Sequence, residues 1–258
     1  MRPIKAIPKI ESKNIITREN QPAGVKFKEG LVLLIDKPLD WTSFDVVNKI
    51  RFTIKHKLGI KKIKVGHAGT LDPMASGLLI VCVGKYTRTI EQLTGKDKTY
   101  STTLKLGATT PSYDAESDED ATYPTEHITS ELIEEKIKLF SGEIEQYPPM
   151  FSAVKIGGQK LYKLARKGVS IERKSRKIRI SELKVTRFEL PELDLFIDCS
   201  KGTYIRSIGY DLGQALDSGA YLTALRRHSI GAYEVDDALS IPECVDWINE
   251  TESLDELD

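Results

Sequence analysis

The segment KVGHAGTLDPMASGLLIVCVGKYTR, residues 64–88, places three glycines, one histidine and an Asp-Pro pair ahead of an apolar run. Glycine lets a backbone turn tightly and approach a ligand closely. Proline fixes φ and suits the first position of a helix, so the pattern puts Asp72 at the mouth of a helix. For an isolated Asp-Pro pair, the ordinary interpretation is that the aspartate caps that helix.

The composition is that of an ordinary globular protein. Of its residues, 40% are hydrophobic and 29% charged. Its length of 258 residues is enough for one large domain or for a core with a small appendage. It contains no run of eighteen apolar residues, and its first residues lack the apolar region of a secretory signal. Cys82, Cys199 and Cys244 are far apart, which indicates reduced core thiols and a cytoplasmic protein.

The net charge of zero conceals a very uneven distribution. Residues 155–187 contain twelve Lys or Arg and two acids, and residues 51–64 contain six Lys or Arg and no acid. Residues 234–258 contain ten acids and no Lys or Arg. A basic face of this kind can meet a phosphate backbone, although a basic run can also be no more than a solvated surface.

Hydrophobic periodicity and turn residues divide the chain into short elements. We predict a buried strand at 31–36 and a helix at 44–58, capped by Ser43 and with Phe44 on its apolar face. The other predicted elements are a loop at 66–72, a strand at 98–106, a loop at 107–126, a helix from Thr129 to Phe140, a hairpin at Gly157-Gly158, a short helix stopped by Gly168, strands at 177–190 and 194–199, a helix after the glycine turn at 199–204, a strand at 224–235 and a helix at 242–249.

These elements predict a mixed α/β (α+β) fold whose central sheet is largely antiparallel and flanked by helices. Residues 1–25 are polar and contain three prolines, which predicts a flexible N-terminal arm. We therefore expect three regions: the arm at 1–25, a main domain at 26–240 and an acidic tail at 241–258.

Four motifs together carry a family resemblance. GHAGTLDPMASGLL (66–79), KPLDWTSFDVVNKIR (37–51), KTY (98–100) and CSKGTYIRSIGYDLG (199–213) resemble motifs of the TruB family of pseudouridine synthases. The resemblance covers about residues 30–240. It implies the pseudouridine synthase catalytic fold with a thumb-like insertion that binds RNA, and it implies conversion of uridine to pseudouridine at position 55 in the tRNA T loop.

The resemblance also implies roles for individual residues. Asp72 is the expected nucleophile, and Arg206 is expected to keep its carboxylate charged. Tyr100 is expected to stack on the uracil and to assist proton transfer. The residues expected to bind the substrate are His67, Gly69, Lys98, Asp114 and Leu225, of which His67 fills the gap left by the flipped base and Leu225 forms the apolar wall. The residues expected to bind the RNA backbone are Lys155, Lys160, Lys163, Arg166 and Lys167.

Purely structural interpretations remain open for three of these residues. Asp114 is equally well a solvated loop carboxylate, His67 a structural histidine bonded to backbone, and Arg206 an exposed ion-pairing group. The histidines and cysteines have no ligand spacing, so we expect no metal and no organic cofactor.

The expected partner is the T arm of tRNA, bound by a monomer, with no membrane association. About twenty residues follow the core, too few for the RNA-binding PUA domain that many TruB proteins carry. Two other functions stay open: a relative that modifies rRNA with a guide RNA, and a module that binds or folds tRNA without chemistry. A dinucleotide-binding enzyme is excluded because there is no GxGxxG motif with an acidic residue about twenty positions further on.

Overall fold

The structure is a computed structural model that describes residues 7–255. Its α-helices are α1 (Ser43–Leu58), α2 (Ile90–Thr94), α3 (Ser130–Lys136), α4 (Leu161–Ala165), α5 (Ile205–Ala215) and α6 (Ile241–Glu250). Short 3-10 helices cover Ser12–Asn14, Gly84–Thr89, Ile137–Phe140 and Val235–Asp237. Its strands are β1 (Ile15–Ile16), β2 (Gly24–Val25), β3 (Leu31–Lys37), β4 (Val65–Ala68), β5 (Ala75–Val83), β6 (Lys98–Leu106), β7 (Ala108–Thr109), β8 (Ala121–Thr122), β9 (Gly142–Gln146), β10 (Lys155–Ile156), β11 (Gln159–Lys160), β12 (Arg176–Glu189), β13 (Glu192–Cys199), β14 (Ala220–Ile230), β15 (Tyr233–Glu234) and β16 (Glu252–Ser253).

The chain forms two compact units. The first contains the residues up to Lys96 and those from Arg226 onward, and the second contains Asp97–Leu225. Strand β14 begins in the second unit and ends in the first.

The first unit is built around two antiparallel strands that are buried on both faces. Strand β3 pairs antiparallel with β5, and β4 pairs antiparallel with the other edge of β5. Leu33 and Ile35 of β3 join a core with helices α1 and α6, whereas Val32 and Leu34 join a second core on the opposite face. This double burial explains why the strand is an unbroken apolar run. It also shows that part of the predicted 66–72 loop is strand β4.

The N-terminal segment is more ordered than the sequence suggested. Ile15–Ile16 pairs parallel with Val32 and Leu33, and the amide nitrogen of the Asn14 side chain donates a 2.8 Å hydrogen bond to the Tyr86 hydroxyl. Ile16 is fully buried. The structure therefore differs from the expected flexible arm over residues 15–25, because adjacent isoleucines in a polar segment find a strand edge to cover. Residues 1–6 lie outside the described residues.

The C-terminal segment also packs into the first unit. Helix α6 matches the predicted 242–249 helix and buries Cys244, Trp247 and Ile248 in the core that includes α1. Strand β16 then pairs parallel with β2. The acidic side chains of this segment thus belong to a packed element at least as far as residue 253.

The second unit is a largely antiparallel sheet with a helix. Strand β6 pairs with β13, β13 with β12 and β12 with β9, each antiparallel. Helix α5 packs closely on this unit: a Cβ at Gly209 would lie 2.6 Å from Leu222 Cδ1 and 2.8 Å from Leu104 Cδ2. Only glycine permits that approach.

A hairpin segment extends from the second unit after β9. Strands β10 and β11 pair antiparallel around Gly157 and Gly158, which have φ of 57° and 82°. Helix α4 follows directly, and Gly168 with φ of 71° lies just beyond it. The predicted hairpin and short helix are confirmed.

The fold class is confirmed: the chain is a mixed α/β protein with largely antiparallel sheet. All three cysteines are buried, and burial raises the pKa of Cys82 to about 11 and those of Cys199 and Cys244 to about 12. Within residues 7–255, no helix has the length and apolar character needed to cross a lipid bilayer.

Candidate functional site

Asp72 lies in a tight turn that leads into β5. The amide of Ala75 donates a 3.0 Å hydrogen bond to the carbonyl oxygen of Asp72, and the Asp72 residue is half-buried. The predicted helix after Asp72 is wrong, because strand β5 begins at Ala75. Residues 78–83 are completely buried, which is typical of a central strand covered on both sides. The carboxylate is therefore presented by a turn and not by a helix terminus.

A buried arginine holds the backbone just before Asp72. Nε of Arg227 donates to the Leu78 carbonyl oxygen at 2.7 Å, and its Nη2 and Nη1 donate to the carbonyl oxygens of Gly69 and Thr70 at 3.1 and 3.5 Å. Arg227 is the largest fully buried side chain of the described residues. Because a planar guanidinium donates in fixed directions, it fixes the path of the loop on which Asp72 is carried.

The strand pattern around Arg227 already indicates that this arginine points inward. Arg226 and Arg227 are adjacent in a strand, so their side chains must point to opposite faces. Arg226 is partly exposed and binds Asp36 with both terminal nitrogens, at 3.1 and 2.8 Å. Arg227 must then point inward. At Gly77, with φ of 104°, a Cβ would lie 2.2 Å from the Arg227 carbonyl oxygen, so this glycine allows the two strands to meet.

The first turn of α1 holds the other side of the same loop. Ser43 was predicted to cap this helix, but the cap is Thr42, whose hydroxyl accepts from the Asp45 amide while Asp45 accepts from the Thr42 amide. The Ser43 hydroxyl instead donates to the Leu71 carbonyl oxygen at 3.0 Å and accepts from the Leu71 amide at 2.8 Å. The peptide groups of the residue before Asp72 are thus fixed by one buried hydroxyl.

A buried lysine lies near the Asp72 turn. Nζ of Lys37 donates to the carbonyl oxygens of Pro38 and Trp41 at 2.8 and 2.6 Å, and the residue is fully buried. Burial lowers the pKa of Lys37 to about 8, assisted by the charge of Arg227 and opposed by the charge of Asp72. No site role was predicted for Lys37 from the sequence. A charged residue ending the run LVLLIDK was the available signal.

His67 lies on β4, where burial and the charge of Arg227 both affect its pKa. Burial, followed by the charge of Arg227, lowers the pKa of His67, and a hydrogen bond with the Gly69 backbone opposes the change. The imidazole is consequently neutral at pH 7, since the ordinary pKa is already about 6.5.

Lys98 and Tyr100 lie in the second unit on strand β6, as the sequence predicted. Both are buried, and as residues i and i+2 of a strand they share one face. Their partners in β13 are Cys199 and Ile197. Leu225, the last residue of this unit, is also buried.

Arg206 forms a buried ion pair with Asp114. Its Nη1 lies 3.2 Å from Asp114 Oδ2 and donates to the Ser112 carbonyl oxygen at 3.0 Å, while Nη2 donates to the Phe151 carbonyl oxygen at 2.9 Å. Both charged residues are buried, so neither the exposed arginine nor the solvated carboxylate describes them. The resemblance predicted only Asp72 as the partner of Arg206, whereas the structure adds the carboxylate of Asp114 in the same unit. Removing one partner of a buried ion pair strongly destabilises the folded protein, because the other charge is left buried and uncompensated.

Two stacked tyrosines flank this pair. The rings of Tyr113 and Tyr210 lie 4.0 Å apart with an angle of 16° between them. Tyr113 has φ of 65°, a backbone conformation that residues other than glycine rarely adopt. It directly precedes Asp114. Tyr210 is one helical turn after Arg206. The stack therefore attaches the Asp114 loop to helix α5.

The hairpin segment and α4 carry the predicted RNA-binding cations. Lys155, Lys160, Lys163 and Lys167 line a concavity of about 480 Å³ together with Gly158, Gln159 and Tyr162. Lys160 Nζ and Arg166 Cζ each lie 5.6 Å from the centroid of the Tyr162 ring. In the described part of the chain, none of these five cations lies within 4.0 Å of a carboxylate. Unpaired cations around an aromatic ring suit phosphates and bases.

Comparison with known families and proteins identifies the family to which this chain is similar. The model of the N-terminal domain of the TruB family pseudouridylate synthases matches residues 55–205. A tRNA pseudouridine synthase B of Phocaeicola vulgatus is 54% identical over 228 residues, which are 88% of this chain and 97% of that protein. One of Flavobacterium johnsoniae is 55% identical over 217 residues, 84% of this chain and 95% of that protein.

Two solved structures share the fold. A chain in the crystal structure of a Cbf5-Nop10-Gar1 complex is 29% identical with a TM-score of 0.65, covering 89% of this chain and 57% of that one. A chain in the structure of an H/ACA RNP bound to a substrate RNA containing 2′-deoxyuridine has 24% identity and a TM-score of 0.62, covering 94% and 64%. This chain thus spans less than two thirds of those longer chains.

Proposed function

The chain belongs to the TruB family of pseudouridylate synthases, and from this premise we propose that it isomerises the uridine at position 55 in the T loop of tRNA. The observation that best supports this proposal is the fixed turn around Asp72. The preceding residues are bonded to Arg227 and Ser43, so a single half-buried carboxylate is held in a defined place. Such preorganisation is what a nucleophile requires, because misplacement by an ångström is costly for catalysis.

The reaction breaks the N1–C1′ glycosidic bond, turns the uracil and joins C5 to C1′. No atom is added overall, but C5 loses a proton and N1 ends with one. We assign Asp72 as the nucleophile that forms a covalent intermediate with the nucleotide and leaves again. The family resemblance assigns Tyr100 to stack on the uracil and to take part in the proton transfer, with Leu225 as the apolar wall.

Arg206 has a double role in this proposal. The resemblance assigns its guanidinium to the Asp72 carboxylate, and its own unit supplies Asp114 as a second carboxylate. A guanidinium has five N–H donors, so it can serve a further acceptor besides Asp114 and the carbonyl oxygens of Ser112 and Phe151. Asp114 thus orients Arg206, and Lys98 and Gly69 remain assigned to substrate binding by the resemblance.

The target base of a folded loop is stacked and has to be flipped out, which costs a few kcal/mol. We propose that neutral His67 takes its place in the stack. The five cations of the hairpin segment, Lys155, Lys160, Lys163, Arg166 and Lys167, hold the T-arm backbone. The catalytic domain is assigned to residues 26–240, and the enzyme acts as a monomer in the cytoplasm.

The experiment uses a tRNA transcript with [5-³H]uridine and the purified protein alone. Release of tritium is expected with the wild type. It should be lost with Asp72→Asn, while tRNA binding is retained, and lost with a transcript that carries cytidine at position 55. Turnover by Asp72→Asn near the wild-type rate would remove Asp72 from its role. No release without added guide RNA or protein would favour the guide-dependent alternative, and binding without release under any condition would favour the folding module.

A further inference from the structure

Two apolar side chains beside the Asp72 turn face solvent. Leu39 is 56% exposed and Phe44 is 61% exposed. The helical pattern predicted that Phe44 is buried, and this prediction is wrong: α1 buries Val46, Val47 and Ile50 instead. Single exposed apolar residues are common on proteins, so exposure alone explains nothing. The location of these two residues distinguishes them.

Both are neighbours of residues that hold the Asp72 turn. The amide of Asp40, the residue after Leu39, donates to the Pro73 carbonyl oxygen at 2.9 Å. Ser43, the residue before Phe44, binds Leu71 through its hydroxyl. Leu39 and Phe44 are therefore attached next to the residues that bind on either side of Asp72.

The backbone that carries Leu39 is fixed. Lys37 bonds to the carbonyl oxygens of Pro38 and Trp41, which closes the intervening turn. Asp40 in that turn has φ of 62°. An apolar side chain held outward on a closed turn keeps its position when a ligand arrives, so little order has to be gained on binding.

We propose that Leu39 and Phe44 form an apolar platform that packs against unpaired nucleobases next to the target uridine of the RNA. This inference rests on the proposed function, in which Asp72 acts on an everted nucleotide. Removing one base from a stack exposes the faces of its neighbours. An aromatic or apolar side chain at the edge of the reacting site can cover such a face without reading its sequence, as in other proteins that bind unpaired bases.

The charge of the same helix favours RNA as the occupant over an apolar protein segment. Beyond Phe44, residues 55–64 at the end of α1 and in the following loop contain five lysines and no acid. In the described part of the chain, Lys55, Lys61, Lys62 and Lys64 have no carboxylate within 4.0 Å. An apolar start followed by unpaired cations matches a partner that has both bases and phosphates.

The test compares Phe44→Ala and Leu39→Ala with Phe52→Ala. Phe52 is on the same helix and 69% exposed, so its substitution removes an equally exposed aromatic ring away from the Asp72 turn. The probe is a T-arm stem-loop RNA, with binding measured by anisotropy and turnover by tritium release. We expect Phe44→Ala to raise Kd and KM about tenfold with kcat changed less than twofold, Phe44→Trp to retain affinity, and Phe52→Ala to match the wild type.

The inference is overturned if Phe44→Ala and Phe52→Ala bind the RNA equally well. It is also overturned if kcat falls while Kd is unchanged, since that would make Phe44 a structural support of the turn. Because binding is measured independently of turnover, a wild type that binds the RNA but never releases tritium refutes the proposed function and still tests the platform. Melting temperatures of the four variants serve as the check on folding.

Discussion

Nη2 of Arg227 lies 3.1 Å from the carbonyl oxygen of Gly69, three residues before Asp72. Through it, the end of the chain that returns in β14 fixes the loop that begins after β4. The same side chain donates to Leu78 at 2.7 Å, so one guanidinium spans both arms of the Asp72 turn. The position of the carboxylate therefore depends on a residue that has no part in the chemistry.

Replacing Arg227 should consequently reduce turnover more than binding. Arg227→Met leaves the carbonyl oxygens of Gly69 and Leu78 without their donor, and each buried unsatisfied group costs about 1–3 kcal/mol. We expect kcat to fall roughly 10²-fold because the carboxylate is no longer held in place. Arg227→Lys should recover part of the rate, since an ammonium can reach one carbonyl oxygen but cannot donate to several in the fixed geometry of a guanidinium. Single-turnover rates and tRNA affinities measure the two effects, and equal rates for Met and wild type would contradict this account.

Adjacent residues at the start of α1 should give opposite phenotypes. Thr42→Ala removes a helix cap and should lower the free energy of unfolding by about 1 kcal/mol with turnover unchanged. Ser43→Ala removes both hydrogen bonds to Leu71 and should lower kcat about tenfold or more, because the turn loosens next to Asp72. Urea unfolding and tritium release separate the two effects. The assignment fails if Thr42→Ala is the variant that loses activity.

The same two residues show where the sequence was sufficient and where it was not. A Ser or Thr before an apolar helix predicts a cap, and the cap is present one position earlier than predicted. Local preferences cannot choose between adjacent hydroxyls, because the choice depends on Leu71, which is distant in the chain. The strand at 31–36, the hairpin at 157–158 and the glycine at 209 were predictable, since periodicity and glycine conformation are local properties.

The buried charges were the least predictable part of the site. Arg227 and Lys37 each end or interrupt an apolar strand. A strand pattern alone does not reveal which carbonyl oxygens accept their hydrogen bonds. Asp114 was placed near the active site by resemblance, but its partner within the second unit became apparent only from the 3.2 Å contact with Arg206. Exposure was misjudged at Phe44 because the helical pattern has no information on which neighbours cover it.

Lys37 should make stability depend on pH in a defined window. Its pKa in the folded protein is about 8, below the ordinary lysine value of about 10.4, so between these pH values the unfolded chain binds a proton that the folded protein has released. The free energy of unfolding therefore rises with pH across this window, by on the order of 3 kcal/mol. Lys37→Met should lack this rise.

Urea unfolding of both proteins at pH 7, 8, 9 and 10 tests the prediction. Subtracting the free energy of unfolding of Lys37→Met from that of the wild type cancels the contributions of the other titrating groups to first order. This difference should be flat below pH 8 and shift in favour of the wild type above it. A difference that does not change with pH would mean that Lys37 titrates at its ordinary pKa and is accessible to water.

The cations of the hairpin segment should determine how tRNA binding responds to salt. Each phosphate contact that is lost lowers the slope of log affinity against log salt by about 0.9. Lys163→Glu/Lys167→Glu should therefore weaken binding and reduce the slope by about 2, because both lysines line the concavity beside Tyr162. Lys138→Glu/Lys184→Glu is the matched control, since it changes the net charge equally at exposed positions of the same unit. Equal slopes for the two double variants would show that only overall charge, and no localised contact with the T arm, attracts the RNA.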